Sequence, residues 1–130
     1  MSTRINISSG AKWEEIVGYC RAVRLGNVVE VAGTTAVDEA GATVGAGNPY
    51  DQTIYILQKI DKAPHQAGDS MQNVVRTRMF VTDITRWEEV GRAHGEFFRD
   101  VRPAATMVEV NALISPELMV EIEVSAILET

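Results

Sequence analysis

The last thirty residues constrain the fold more than any other part of the chain. Residues 102–110 (RPAATMVEV) and 120–126 (VEIEVSA) each alternate apolar and polar side chains, which is the period of a strand with one buried face. Pro116 lies between them and indicates a turn. The sequence therefore predicts two neighbouring antiparallel strands at the end of the chain.

One face of this predicted strand pair carries a concentration of negative charge. Glu109, Glu121 and Glu123 fall on that face, and like charges on neighbouring strands repel one another. The opposite face is apolar and consists of Val108, Val110, Val120, Ile122 and Val124. Unless the acidic face is simply solvated, a cation, another subunit or a ligand must balance the three carboxylates.

The first helix is predicted from Asn48, a favourable N-cap, with Pro49 in its first turn. Pro64 predicts a kink or an early stop near residues 62–63, because a proline inside a helix costs roughly 3 kcal/mol. Gly68 is a candidate residue for the end of that helix.

A second helix is predicted to run to about Arg99 from a capping box formed by Thr85 and Glu88. Its sheet-facing residues are predicted to be Trp87, Val90, Ala93, Phe97 and Phe98.

Short strands are predicted around both helices, at residues 3–8, 19–24, 28–32 and 74–82. The resulting order favours an α+β fold, with two helices on one face of a mixed sheet. The other face would be uncovered and would hold Met107 and Ile127 beside the glutamates. Such a mixed surface suggests an interface between subunits with polar pockets.

Composition limits the classes of function. The 130 residues are sufficient for one domain, spanning 1–130, and the net charge of −6 argues against general nucleic-acid binding. One cysteine, Cys20, fits a reducing compartment. Neither a signal peptide nor an apolar run of about 18 residues is visible, so a cytoplasmic location without a membrane partner is expected. The sequence shows no metal-ligand spacing and no phosphate-binding loop, and neither a metal nor a cofactor is expected.

Four segments of the chain resemble the reactive-intermediate deaminase (RidA/YjgF) family, formerly the L-PSP endoribonuclease family. They are residues 19–27 (YCRAVRLGN), Gly33, residues 102–110 and residues 120–126. The resemblance implies a chorismate-mutase-like fold with a six-stranded mixed sheet and two helices. It also implies a homotrimer with its sheets around a central barrel, and three ligand clefts between subunits.

The resemblance also implies an activity. Well-understood members hydrolyse imines and enamines derived from amino acids, without a metal or an organic cofactor: water adds to the imine carbon and ammonia leaves. Matching the family's pocket residue by residue gives Tyr19, a backbone amide near Gly33, and Glu121. The family's substrate-binding arginine, which holds a carboxylate through a bidentate fork, falls at position 105.

Position 105 is an alanine in this chain. A desolvated bidentate contact to a carboxylate is worth roughly 2–5 kcal/mol, or about 30-fold to several-thousand-fold in binding. The chain therefore resembles the branch of the family without that arginine, and weak or absent classical deaminase activity is expected. Met107 should share a face with Ala105 and make the pocket less polar.

Two arginines are candidates to replace the missing anchor. Arg21 is two residues from Tyr19 and would share its face in a regular strand. It could instead form a salt bridge with Glu109 or Glu123, or be exposed. Arg102 is the second candidate, although it has the wrong strand parity relative to Ala105.

The remaining site residues also have two interpretations. Glu121 could orient or deprotonate water, or serve as an ion-pair partner at an interface. Tyr19 could bind a ligand or fill an interface. Two functions follow for the chain: a hydrolase or deaminase of imine or enamine metabolites, or a non-catalytic binding or regulatory trimer. A ribonuclease fits poorly, because the chain is acidic and no paired histidines with a lysine are apparent.

Overall fold

The computed structural model describes the backbone of residues 3–66 and 71–129 and the side chains of residues 3–62 and 71–129. The strands are β1 (Arg4–Ile7), β2 (Ala22–Leu25), β3 (Val28–Thr35), β4 (Val74–Val81), β5 (Ala104–Glu109) and β6 (Val120–Ile127). The α-helices are α1 (Lys12–Val17), α2 (Pro49–Gln66) and α3 (Trp87–Phe98).

The six strands form one mixed sheet in the order β1-β2-β3-β6-β4-β5. Strands β4 and β5 are parallel, and the other neighbours are antiparallel. The tight turn between β2 and β3 uses Gly26, whose φ of +62° favours glycine. This arrangement confirms the predicted α+β fold with a six-stranded mixed sheet.

The final strand pair differs from the prediction. Strand β5 pairs with β4 rather than with β6, so β4 lies between the two strands. Register places Val81 opposite both Glu109 and Val120, whereas Phe80 is opposite both Val108 and Glu121. Because register partners share a face, Glu109 lies on the opposite face from Glu121 and Glu123. Alternation predicted each strand but carried no information about its partner.

The helices α2 and α3 cover one face of the sheet. Residues that point towards this face from the central strands are buried. They include Val29, Val31, Thr77, Met79, Val81, Val120, Ile122 and Val124. The two main helices contribute Ile56, Leu57, Ile60, Val90, Ala93 and Phe98 to the same core. The core therefore lies between the helices and this covered face.

The start of α2 matches the prediction. The Asn48 Oδ1 atom accepts a hydrogen bond from the Asp51 amide at 3.0 Å, and Pro49 is the first helical residue. The predicted early stop at Pro64 is wrong, because α2 continues to Gln66. Pro64 lies in the final turn of α2, beyond the buried Ile60, and a proline near a helix end breaks fewer hydrogen bonds than one in the interior. Gly68 lies outside the described residues.

The start of α3 differs from the predicted capping box. Asp83 provides the cap: its Oδ1 atom accepts a hydrogen bond from the Thr85 amide at 3.0 Å and begins a 3₁₀ turn before the helix. Trp87 is 53% exposed and does not face the sheet. Trp87 is the first residue of α3 and follows the 3₁₀ turn, whereas Val90, Ala93 and Phe98 are buried as predicted.

Helices α2 and α3 do not cover the second face of the sheet, which we call the open face. One end of it is an apolar row of exposed residues, Leu25, Val28 and Ile127. Charged residues follow in the middle, among them Glu30, Arg78 and Glu123. Met107 is not on this face, contrary to the prediction, because it pairs with the buried Met79. No helix within residues 3–66 and 71–129 is long and apolar enough to span a membrane.

Candidate functional site

The turn between α1 and β2 positions Tyr19. Gly18 ends α1 with a φ of +89°. The amides of Gly18 and Tyr19 donate hydrogen bonds to the Glu14 carbonyl at 2.9 and 3.0 Å. Tyr19 is partly exposed and precedes β2, which begins at Ala22. The parity argument that placed Tyr19 and Arg21 on one face of a strand therefore does not apply.

Arg21 points towards β3. Its Nη2 atom donates hydrogen bonds to the Ala32 and Gly33 carbonyls, both at 2.8 Å. Burial lowers the pKa of Arg21, while the charges of Tyr19, Glu14 and Glu121 oppose that shift. Arg21 therefore lies within reach of the predicted site residues. Its Nη2 atom binds the backbone, whereas its buried Nε atom has no hydrogen-bond partner among the described residues.

The predicted salt bridges of Arg21 are not formed among the described residues. Glu123 instead faces Arg78 at 3.6 Å. Glu109 accepts a hydrogen bond from the Ile84 amide at 3.0 Å, beside the start of α3. Both carboxylates have other partners because Glu109 lies on the covered face and Arg21 is held by the β3 carbonyls.

Gly33 and Glu121 touch one another. The register of β3 against β6 shifts between Val31 and Thr34, and Gly33 lies in this irregular segment. A Cβ atom at position 33 would lie 2.2 Å from Glu121 Oε2, closer than side chains approach each other. Glycine at this position therefore provides the space that the Glu121 carboxyl group occupies.

Glu121 has the electrostatic character of an acid–base group. Its pKa is raised by burial and, second, by the neighbouring charge of Glu123, while Arg21 opposes the shift. A carboxyl group whose pKa approaches the working pH can both accept and return a proton. The site thus combines a tunable carboxyl group with a phenol and a guanidinium group.

Tyr19, Arg21, Gly33 and Glu121 form a cluster to which Glu14 also belongs. Glu14 was not singled out from the sequence. It is 7% exposed and accepts hydrogen bonds from the Ser9 amide at 3.1 Å and from the Ser9 hydroxyl. Burial acts to raise the pKa of Glu14, but the Ser9 hydrogen bonds and Arg21 lower it overall. Helix α1 buries this carboxylate and exposes Trp13 and Ile16, the reverse of the pattern that hydrophobicity predicts.

Lys59 is a second residue that the sequence did not indicate. It projects from α2, and its Nζ atom donates hydrogen bonds to the Thr35 and Val37 carbonyls, both at 2.9 Å. Burial lowers the pKa of Lys59, with a smaller contribution from Arg21. Lys59 and Arg21 therefore both donate to backbone carbonyls in residues 32–37, at and just beyond the end of β3.

Ala105 and Met107 lie apart from this cluster. Register pairs Ala105 with Thr77 and Met107 with Met79, so both point towards the covered face, as their shared parity predicted. Thr77 Oγ1 lies 2.9 Å from His94 Nε2 on α3, and burial lowers the pKa of His94. Glu121, on the other face, is separated from β5 by β4. One chain therefore does not bring position 105 to the carboxyl group of Glu121.

A groove of about 700 Å³ crosses the open face beside α1. It contains Tyr19 but not Arg21, Gly33 or Glu121. Their neighbours Cys20, Ala32 and Glu123 do line it, so the groove runs next to the cluster. Its charged lining residues are Glu14, Glu15, Glu30, Glu123, Arg4 and Arg78. Within the described part of the chain, no group of three or more acidic, histidine or cysteine residues could hold a metal ion.

Comparisons with known proteins identify the family of this chain and agree with its fold. The sequence profile of the family described as "Endoribonuclease L-PSP" matches residues 10–128. The chain belongs to this family. The structure of Rv2704 from Mycobacterium tuberculosis, a member of the YjgF/YER057c/UK114 family, superposes with a TM-score of 0.88. That comparison has 47% identity and covers 97% of this chain and all of Rv2704.

Two sequence relatives are also informative. An uncharacterized protein of Streptomyces coelicolor is 38% identical over 92% of this chain and 89% of its own length. The 3-aminoacrylate deaminase RutC of Acinetobacter baylyi is 30% identical over 80% of this chain and 82% of its own length. The resemblance to the RidA/YjgF family is thus confirmed as a family relationship.

Proposed function

We propose that this chain is a cytoplasmic, homotrimeric small-molecule-binding protein that hydrolyses or deaminates imine or enamine metabolites at clefts between subunits. The contact of Glu121 with Gly33, beside Tyr19 and Arg21, carries this proposal. A relative named for deamination of 3-aminoacrylate supports the reaction class. Neither a metal nor an organic cofactor takes part in the proposed reaction, and nucleic acid is not a proposed partner.

In the proposed reaction Glu121 acts on water. Its carboxylate takes a proton from a water molecule that attacks the imine carbon, and the protonated carboxyl group returns it to the departing nitrogen. Burial, followed by the charge of Glu123, raises the pKa of Glu121 and makes the carboxylate a stronger base than an exposed glutamate. Tyr19 would donate a hydrogen bond to the ligand from the adjacent turn.

The division of site residues between two faces supports a cleft shared by two chains. Glu121 lies on the open face, whereas Ala105 and Met107 point to the covered face from the edge strand β5. A second copy that contributes its β5 edge would bring the two sets together. The exposed apolar row Leu25, Val28 and Ile127 offers surface for such an association.

Ala105 limits the substrates of this proposed enzyme. It has no group that can bind a carboxylate, and the Nη2 atom of Arg21 already donates to two carbonyls. Turnover of 2-aminoacrylate should therefore be far below that of an arginine-bearing relative assayed in parallel. Arg21→Ala should not lower the affinity for a carboxylate ligand selectively, since Arg21 is not proposed as the anchor.

The experiment is an assay of imine hydrolysis with purified wild type, Glu121→Gln and the charge-matched surface variant Glu88→Gln. The proposal expects an acceleration of ammonia release that Glu121→Gln removes and Glu88→Gln leaves unchanged. Activity that survives in Glu121→Gln would contradict the role given to this carboxyl group.

The alternative is a non-catalytic binding or regulatory trimer that keeps the cleft. The absence of an anchor at Ala105 and the engagement of Arg21 by the backbone favour it. Such a protein would show ligand-induced thermal stabilisation without turnover of any imine. Turnover that depends on Glu121 would exclude this alternative.

A further inference from the structure

We infer that the cleft binds a ligand whose polar head is a nitrogen cation or a strong N–H donor, and that it discriminates against carboxylates. This inference rests on the proposed cleft and specifies the chemical class of its ligand. The matching metabolites are iminium ions derived from amines, which lack the carboxylate of imines derived from amino acids.

The cations nearest to Gly33 and Glu121 are engaged by the protein itself. Arg21 donates to the carbonyls of Ala32 and Gly33, and Lys59 donates to those of Thr35 and Val37. Both side chains are partly buried in these positions. Both hydrogens of Arg21 Nη2 are used in this way, so this nitrogen could bind a ligand carboxylate only by giving up a backbone hydrogen bond and leaving a carbonyl group unsatisfied.

The groove beside the cluster carries net negative charge. Four carboxylates and two guanidinium groups line it, the latter belonging to Arg4 and Arg78. Arg78 already faces Glu123 at 3.6 Å, and Arg4 donates a hydrogen bond to Asn6 at 2.9 Å. The potential within the groove therefore favours a cation and opposes an anion.

Glu121 provides the specific acceptor. Among residues 3–62 and 71–129 no side-chain or backbone donor makes a hydrogen bond to its carboxyl group, although it is half-buried against Gly33. A partly desolvated carboxylate without a donor is costly, and a charged N–H donor is its strongest partner. An iminium N–H at this point would satisfy it.

The chemistry of the proposed reaction is consistent with such a ligand. Water adds to the carbon of the C=N bond of the iminium ion, and a proton moves from that water through Glu121 to the nitrogen. The C–N bond then breaks and ammonia leaves, while the hydroxyl proton of the tetrahedral intermediate passes through Glu121 to the ammonia. The products are ammonium and an aldehyde or a ketone rather than a 2-oxo acid. No oxidant or reductant is needed. A reaction that oxidises a primary amine to its imine must supply this substrate.

Three probes of similar size and shape distinguish the effect of ligand charge on affinity from the effect of ligand shape. At neutral pH benzamidine is a cation, benzamide is neutral and benzoate is an anion. Calorimetric titration of the wild type should show the highest affinity for benzamidine, a lower affinity for benzamide and the lowest for benzoate. We expect the Kd of benzamidine to be lower than that of benzoate by about tenfold or more, because charged hydrogen bonds exceed neutral ones.

Three variants test which residues determine this preference for a cation. Glu121→Gln should reduce the ratio of benzoate to benzamidine Kd to within about twofold, while Glu88→Gln, an equal charge change on the exposed part of α3, should leave it unchanged. Ala105→Arg should strengthen benzoate binding selectively. Thermal melts of each variant confirm that the comparison is made on folded protein.

Different results would contradict the ligand preference and the cleft itself. Benzoate binding as tightly as benzamidine, or tighter, would overturn the inference and leave the proposed cleft and its function standing. A benzamidine preference that survives in Glu121→Gln would also overturn it. Failure of all three probes to bind would contradict the cleft itself, and the proposed function with it.

Discussion

The two faces of the sheet use the same strands for different purposes. On the covered face, alternate residues of the strands are buried against the helices, among them Val31, Ile122 and Val124. On the open face, β6 carries Glu121, Glu123 and Ile127, which are all at least partly exposed. The covered face is largely apolar and contributes most of the buried core, whereas the open face combines charged residues with an apolar row. The difference assigns the fold to one face and the candidate chemistry to the other.

Substitutions on the two faces should differ most in their effect on stability. Ile122→Ala removes a fully buried side chain and should lower the free energy of unfolding by about 2–5 kcal/mol. Val108→Ala, on the open face, should cost less than about 1 kcal/mol. Denaturant titration at matched protein concentration checks both values, and equal losses would contradict the division between the faces.

The apolar row on the open face should govern assembly. Ile127→Lys introduces a charge into a surface that we propose is buried between copies, and it should convert the proposed trimer into smaller species. Trp87→Lys changes a similarly exposed residue on α3 and should leave the assembly unchanged. Light scattering after gel filtration measures the mass of each. A wild-type monomer at micromolar concentration, or a trimer in Ile127→Lys, would refute the interface.

The contact of Gly33 with Glu121 should be sensitive to a single methyl group. Gly33→Ala places a Cβ atom on Glu121 Oε2, and the flexible carboxyl group should move away while the fold remains. We expect loss of about tenfold or more in benzamidine affinity, with a Tm within a few degrees of wild type.

The matched control for that substitution is Gly95→Ala. A Cβ atom at this helical position meets nothing within 4 Å, so affinity should be unchanged and stability should rise by up to about 1 kcal/mol. Unchanged benzamidine affinity in Gly33→Ala would show that the position of Glu121 is not critical.

Glu121 should also produce a small pH dependence of stability. Its pKa in the folded protein is raised above the usual 4.5, so folding favours the protonated form. The stabilisation is fully present below pH 4.5 and is lost as the pH rises through the folded pKa. Glu121→Gln should therefore gain Tm relative to wild type between pH 4 and pH 7, by no more than a few degrees because the group is half-exposed. A constant difference across this range would contradict the shift.

The sequence predicted individual elements better than their arrangement. Alternation in residues 120–126 depends on local burial, and β6 appeared where it was predicted. The pairing of β5 with β4 depends on how the chain between β5 and β6 crosses the sheet, which strand periodicity does not encode. The same applies to the start of α3, where Asp83 rather than Thr85 accepts the capping hydrogen bond.

The candidate site was predictable where residues match a family motif and unpredictable where partners are distant. Tyr19, Gly33 and Glu121 were identified by resemblance, and the structure gathers them around Arg21. Glu14 was missed because a buried carboxylate on a short helix that exposes Trp13 contradicts the expected hydrophobic pattern. Lys59 was missed because its partners are the backbone carbonyls of Thr35 and Val37, which have no signature in the sequence.

The most direct test of the central claim is the turnover of 2-aminoacrylate by wild type and Ala105→Arg, measured together with an arginine-bearing relative. The claim is that the chain keeps the family's fold and its carboxyl-bearing end of the cleft but lacks the carboxylate anchor. It predicts little or no acceleration by wild type and a clear gain, of about 30-fold or more, in Ala105→Arg. Wild-type turnover equal to that of the relative, or an arginine at position 105 without any gain, would contradict it.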